Sequence, residues 1–332
     1  MSTVLFLLFF FTTSAFAPPS YAFHIGRFFG ASGMVSGRAL SDVQPSDITY
    51  LFYNRENTEG TLVAYDEAQV LESKANFNPD LKTYFLIHGW IDDCRTGQLQ
   101  VQTLEALLKY HDVNVVSVCW EKWSNGDYLS AAGSVKAVGQ LVGDFILDAT
   151  SNDRYSSSDI TIVGHSLGAH VAGAAGSRTN GSLGYIVGLD PAGPLFFEDN
   201  PDGRLDPTDA QYVEAIHTNA GLSGVTFDVG HADFWPNGGS LQEGCFILLP
   251  VCSHMRVIDL YAESVGQEDG FVSQLCETYD DYNNGNCRDN SEALMGGFDL
   301  DTRIKGHYYL STNSNSPYAR GKQQSKVIAN MK

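Results

Sequence analysis

Asp159-Ile160-Thr161-Ile162-Val163-Gly164-His165-Ser166-Leu167-Gly168-Ala169-His170-Val171-Ala172-Gly173-Ala174-Ala175-Gly176 is the stretch on which the fold turns. Its first five residues are β-branched enough to read as a strand, and Ala169 to Gly176 is a run of small residues that reads as a helix. Between them stands a G-x-S-x-G element. A serine on a sharp strand-to-helix turn is held in strain with its hydroxyl presented, and the glycines let the turn close without a Cβ in the way. The five residues alone would also suit an ordinary glycine-rich loop. The flanking strand and helix are what make Ser166 a candidate nucleophile.

Outward from that stretch, strand-like and helix-like runs alternate. Ile48 to Tyr53, Lys82 to Ile87, Val113 to Cys119, Tyr185 to Leu189 and Val213 to Ile216 read as strands. Leu99 to Tyr110, Leu129 to Asp148 and His254 to Val265 carry helical apolar spacing. This β-α-β-α order predicts an α/β fold, a mostly parallel central sheet with helices on both faces. The tail from Ser311 is Ser/Asn-rich and then basic, and reads as loosely ordered.

A serine needs a base, and the base an orienting acid. The strand Tyr185 to Leu189 ends at Asp190-Pro191, which makes Asp190 the candidate acid; a turn aspartate before proline is the plainer alternative. The histidine should follow the acid in chain order. His217, His231, His254 and His307 all qualify, and composition does not choose among them. His254 follows Cys252-Ser253, so a disulfide would anchor its loop; on spacing it leads. Two backbone N–H groups are needed for the oxyanion. Leu167 supplies one, and Trp90, in the His88-Gly89-Trp90 loop after an early strand, the other.

Length and composition bound the rest. The chain has 332 residues, 43% hydrophobic and 18% charged, which suits one large globular domain. Val4 to Phe11 is an apolar run followed by Ala15-Phe16-Ala17, the pattern of a signal peptide ending at 17, with cleavage as late as 22 open. The domain then spans 18–332, exported and without a transmembrane anchor. Six cysteines agree with an oxidising compartment. Close spacing suggests Cys245–Cys252 and Cys276–Cys287; Cys94 and Cys119 remain, each just past a strand, and would meet if those strands are neighbours. Asn180-Gly181-Ser182 is a glycosylation sequon. A net charge of −19 repels nucleic acid and anionic membranes and leaves neutral or zwitterionic lipid open. No cofactor motif is found.

Taken together, Ile87-His88-Gly89-Trp90, Gly164-His165-Ser166-Leu167-Gly168-Ala169-His170, Gly188-Leu189-Asp190-Pro191-Ala192-Gly193-Pro194, Ile216-His217-Thr218, Gly230 to Gly239 and Cys252-Ser253-His254-Met255-Arg256 resemble the pancreatic lipase family, in its short insect-type and phospholipase A1-type branch. The resemblance implies an α/β-hydrolase fold, a Ser166–His254–Asp190 triad and oxyanion donors at Trp90 and Leu167. It implies a lipid ester as substrate, met at a membrane, micelle or droplet surface. Between Cys245 and Cys252 only Phe246-Ile247-Leu248-Leu249-Pro250-Val251 stand where larger members carry a long lid. That truncation points to phospholipids; triacylglycerol or galactolipid hydrolysis, and a non-catalytic yolk-type lipid-binding protein, stay open beside it. No C-terminal β-sandwich is expected before the end at Lys332. Asp202, Asp206 and Asp209 lie in a loop resembling one that binds calcium in some relatives, though an Asp-rich turn is the simpler account.

Overall fold

The strand periodicity carries through to the layers. The structure, a computed structural model, describes residues 42–151, 154–246, 249–267 and 269–321; the leader at 1–22 lies outside them. Eleven strands among these residues form one sheet: β1 (Thr49–Asn54), β2 (Asn57–Ala64), β3 (Thr83–Ile87), β4 (Asn114–Cys119), β5 (Ile160–His165), β6 (Tyr185–Leu189), β7 (Tyr212–Ile216), β8 (Ala232–Pro236), β9 (Val272–Leu275), β10 (Glu292–Leu294) and β11 (Gly306–Leu310). Their order is β10-β9-β11-β8-β7-β6-β5-β3-β4-β1-β2. From β4 through β11 every pairing is parallel, and antiparallel strands close both edges.

Seven helices among the described residues are α1 (Leu71–Ala75), α2 (Gln98–Tyr110), α3 (Glu121–Ser124), α4 (Tyr128–Ala149), α5 (Leu167–Arg178), α6 (Pro250–Val265) and α7 (Tyr279–Asn284). Because side chains alternate across a strand, Phe85 and Ile87 of β3 join a core with Val135, Val138, Val142 and Phe145 of α4 and Val171 of α5. Tyr84 and Leu86 join the opposite core with Leu99 and Leu107 of α2 and Val257, Ile258 and Tyr261 of α6. Glycines set how closely layers approach: a Cβ on Gly139 of α4 would lie 2.6 Å from the Val171 carbonyl of α5.

Three disulfides form as expected, Cys94–Cys119, Cys245–Cys252 and Cys276–Cys287. The first joins the loop after β3 to the end of the adjacent β4. Two expectations change. The helix expected from His254 already begins at Pro250, inside the second disulfide ring, so His254 stands within its first turns and not at its start. The tail is held as far as Gly321: the Thr312 amide donates to Asn237 Oδ1 (2.9 Å), and the Tyr318 and Ala319 amides donate to the Glu263 carboxylate (2.9 and 2.8 Å). The Ser316 hydroxyl adds a further bond to Glu263 (3.0 Å). Asn180 is exposed on the turn after α5, in left-handed conformation with φ 54°.

Candidate active site

Parallel strands all end on one side, and the candidate residues gather there. Ser166 is the single residue between β5 and α5, with φ 56° and ψ −120°. That conformation costs a side-chain-bearing residue about 1–3 kcal/mol, so its surroundings must enforce it. The Ser166 N–H donates to the Leu189 carbonyl (3.0 Å), and its own carbonyl accepts from Ala169 (3.1 Å) and Ala192 (3.3 Å). A Cβ on Gly168 would lie 2.1 Å from the Ile87 carbonyl oxygen, and one on Gly164 2.3 Å from that of Gly168. The elbow therefore admits no side chain at either position.

Asp190 directly follows β6, is fully buried and has φ 42°. Its Oδ1 accepts the amides of Thr218 (2.8 Å) and Asn219 (2.9 Å), just past the end of β7. Its Oδ2 lies 2.5 Å from His254 Nδ1. A carboxylate only accepts, so Nδ1 carries the proton and Nε2 is left with a bare lone pair, the tautomer a general base requires. The other three histidines are committed elsewhere. His217 Nε2 pairs with buried Asp233 (2.8 Å) and its ring stacks on Trp235 at 3.8 Å. His231 Nδ1 accepts the Val213 amide (3.0 Å), and His307 pairs with Asp228 (3.1 Å).

Two histidines that sequence reasoning passed over brace the elbow. His165 Nε2 donates to the His254 carbonyl (3.2 Å), with the two rings 4.6 Å apart. Burial holds its pKa well below the usual histidine value, aided by the neighbouring His254, so it puts no second charge beside the base. His170 accepts the Leu205 amide at Nδ1 (3.0 Å) and donates from Nε2 to the Ala192 carbonyl (2.8 Å); burial pushes its pKa down to about 4. The His170 spacing from Ser166 was visible in the motif, but its partners lie 22 and 35 residues away.

The loop after β3 lies against the nucleophile, since a Cβ on Gly89 would sit 2.9 Å from Ser166 Cβ. Next along it, Trp90 anchors through its indole N–H to the Gly126 carbonyl (2.9 Å), and the Ile91 amide is taken by the Ser124 carbonyl (3.1 Å). The Trp90 amide has no acceptor among the described residues. Leu167 is the first residue of α5, so its amide has no acceptor within the helix. Beneath the loop, buried His88 stacks on Trp120 and faces Glu121 at 3.6 Å. Burial raises the Glu121 pKa, but His88 and the Cys94 amide (2.7 Å) outweigh it and hold the carboxyl below its ordinary value. Ser166 Oγ makes no hydrogen bond among the described residues, and serine–base contacts commonly tighten only with substrate.

Asp202, Asp206 and Asp209 do not converge into a metal-holding group among the described residues. Asp206 Oδ1 caps a short turn by accepting from Thr208 N (3.0 Å) and Oγ1 (2.8 Å), while Asp209 Oδ2 accepts the Asp206 amide (2.8 Å). Burial pushes the Asp209 pKa up to about 8. Around the site, large apolar side chains stay in water on loops after β3, β6, β7 and β8 and at the start of α6: Ile91 (62% exposed), Phe197 (59%), Leu222 (51%), Phe246 (75%), Leu249 (61%) and Val251 (57%). Ile247 and Leu248 of the same short loop lie outside the described residues.

Comparison with known proteins gives the family. Curated relatives include an "inactive pancreatic lipase-related protein 1" of Canis lupus familiaris, 35% identical over 82% of this chain and 64% of that protein. Others are a pancreatic triacylglycerol lipase of Myocastor coypus, 35% identical over 85% of this chain and 69% of that one, and a human pancreatic lipase-related protein 3, 36% identical over 84% and 66%. The chain thus spans about two thirds of the length of these relatives. Among solved structures, an esterase of Pyrococcus furiosus aligns at 19% identity and TM-score 0.30 over 43% of this chain and 64% of that one. The sheet order and the elbow carry the fold assignment, and the family model described as Lipase matches residues 34–318. By that match and by its curated relatives, this chain belongs to the lipase family of α/β hydrolases.

Proposed function

We propose that the chain is a secreted lipid esterase that cleaves the acyl ester of phospholipids in the manner of a phospholipase A1, with Ser166, His254 and Asp190 as its relay. The observation that carries the esterase reading is the pairing of Asp190 with His254 Nδ1, together with a serine on a strained elbow at the end of the neighbouring strand β5. Family membership alone would not carry it, since one relative is named inactive. His254 Nε2 takes the Ser166 proton as Oγ attacks the ester carbonyl. The Trp90 and Leu167 amides hold the oxyanion, each worth about 3–4 kcal/mol. The C–O bond to the alcohol or lysolipid breaks as His254 returns that proton to the leaving oxygen. Water, deprotonated by the same imidazole, then releases the fatty acid from Ser166.

The apolar rim on the loops around the relay supports a lipid interface, since soluble proteins rarely leave such a set in water. The disulfides support export, and among the described residues no helix is long and apolar enough to cross a membrane. A glycan on exposed Asn180 fits the same route. The short ring closed by Cys245–Cys252 favours a substrate with a bulky polar headgroup. Similarity to pancreatic triacylglycerol lipases of Myocastor coypus and Equus caballus favours triacylglycerol as a second reading. Hydrolysis of phosphatidylcholine, a galactolipid and triolein by the purified protein, with the released chain identified, separates them. Release of the sn-1 chain of phosphatidylcholine is expected. Turnover of triolein alone refutes the phospholipid assignment. Ser166→Ala is expected to lower turnover about 10⁴-fold or more, and hydrolysis retained in that variant removes Ser166 from its role.

A further inference from the structure

Gln242 lies in the loop between β8 and Cys245, yet is only 1% exposed. Loop glutamines normally keep their amides in water, and burying one without partners is costly. Here the amide is fully used. Nε2 donates to the carbonyls of Thr218 (3.1 Å) and Pro236 (2.9 Å), and Oε1 accepts from Asn237 Nδ2 (2.9 Å). The backbone N–H of the same residue donates to Ser253 Oγ (3.0 Å), and Ser253 is fully buried.

The two ends of this hub touch the two halves of the relay. Thr218, whose carbonyl Gln242 holds, is the residue whose amide binds Asp190 Oδ1 (2.8 Å). Ser253, whose hydroxyl it holds, immediately precedes His254 in the first turns of α6. Asn219, the second amide on Asp190, is tied to the same loop through the Ser240 carbonyl (3.1 Å). The acid and the base come from elements 64 residues apart, and this one residue reaches both, its side chain holding the Thr218 carbonyl and its backbone N–H the Ser253 hydroxyl.

We propose that Gln242 is a positioning residue of the relay, fixing the Thr218–Asn219 amide pair that aims Asp190 and the Ser253–His254 step that carries the imidazole. The inference rests on the serine-esterase reading above. Its test measures kcat and KM on p-nitrophenyl butyrate, a soluble ester, together with the rate and endpoint of labelling by a fluorophosphonate. Gln242→Met keeps the volume and removes the amide; Ser253→Ala removes only the acceptor of the Gln242 backbone N–H and decides the matter should the first variant not fold.

For Gln242→Met, kcat is expected to fall about 10- to 100-fold with KM within about twofold, because misplacement of up to about 1 Å costs up to about 100-fold. Labelling is expected to slow by a similar factor yet reach completion. Ser253→Ala is expected to show the same pattern at about threefold or more. Unchanged kcat in the folded variants overturns the inference. So does a loss of turnover matched by incomplete endpoint labelling, which marks a smaller folded fraction rather than a misaligned relay. A wild-type protein that neither hydrolyses nor labels brings down the esterase reading first, and this inference with it.

Discussion

Replacing Asp190 by asparagine separates the catalytic from the structural work of that residue. In the native site Oδ1 accepts two amides, from Thr218 and Asn219, and Oδ2 accepts the His254 Nδ1 proton at 2.5 Å. An asparagine keeps its oxygen where the two amides point, since turning it would set an NH₂ against both. Its NH₂ then faces Nδ1, donor against donor. The imidazole escapes by moving its proton to Nε2, which becomes a donor and can no longer take the Ser166 proton. The loss expected for a base locked in the wrong tautomer is about 10⁴-fold in kcat, equivalent to about 5 kcal/mol of barrier. The fold keeps both amide bonds and loses only their charge assistance, about 1–2 kcal/mol. Asp190→Ala instead strands both buried amides at about 1–3 kcal/mol each, so stability falls along with activity. Turnover of p-nitrophenyl butyrate and urea denaturation of the two variants read the two effects. Asp190→Asn keeping more than about a tenth of wild-type kcat would refute the tautomer argument.

Gly168→Ala would place a methyl 2.1 Å from the Ile87 carbonyl, a backbone atom that cannot swing away, and is expected to cost about 3 kcal/mol or more of stability in urea titration. Glu214 is buried on β7, where its carboxylate accepts the Gly296 amide (2.7 Å), and burial pushes its pKa up to about 8 from an ordinary 4.5. Its folded pKa being the higher, the protonated form is favoured by folding, and stability is fully present below about pH 4.5 and lost as pH climbs toward 8. Glu214→Gln keeps an acceptor for Gly296 and does not ionise, so it is expected to exceed wild type by about 3 kcal/mol at pH 7 and by little at pH 4.5; a pH-independent difference would contradict this. Replacing Phe246 and Val251 by serine removes exposed apolar surface worth about 2–3 kcal/mol for each side chain buried in lipid. Binding to phosphatidylcholine vesicles should weaken at least about 30-fold with p-nitrophenyl butyrate turnover unchanged, and equal losses on both substrates would show that the loop serves the relay instead.

Much of this architecture could be read one strand at a time. β3 to β7 are mostly apolar runs, broken by single polar residues such as Ser117 and Glu214, whose alternate apolar residues fill two cores, and an α/β order follows from such runs without knowledge of partners. The strands that were missed are of another kind. β8, the stretch Ala232–Pro236, lies between Gly230 and Gly238 and contains Asp233, so it looks like a turn; its strand character comes from parallel neighbours on both sides. β9 to β11 likewise exist through pairing at an edge of the sheet.

At the site the division is sharper. The nucleophile and its glycines are a local feature, because strain and close approach are settled within five residues and the strand beside them. Which histidine serves Ser166 is not local. Four followed Asp190, and three were taken out of contention by partners that only folding supplied: Asp233 for His217, the Val213 amide for His231 and Asp228 for His307. The sequence by itself determined an α/β chain with a serine poised on an elbow, because those are short-range steric facts. Tertiary structure decided that His254, already favoured by spacing and resemblance, is the one that meets Asp190, aimed Asp190 with two amides from just past the next strand and buried Gln242 beside them, because a hydrogen bond is decided by distance in space and not by separation along the chain.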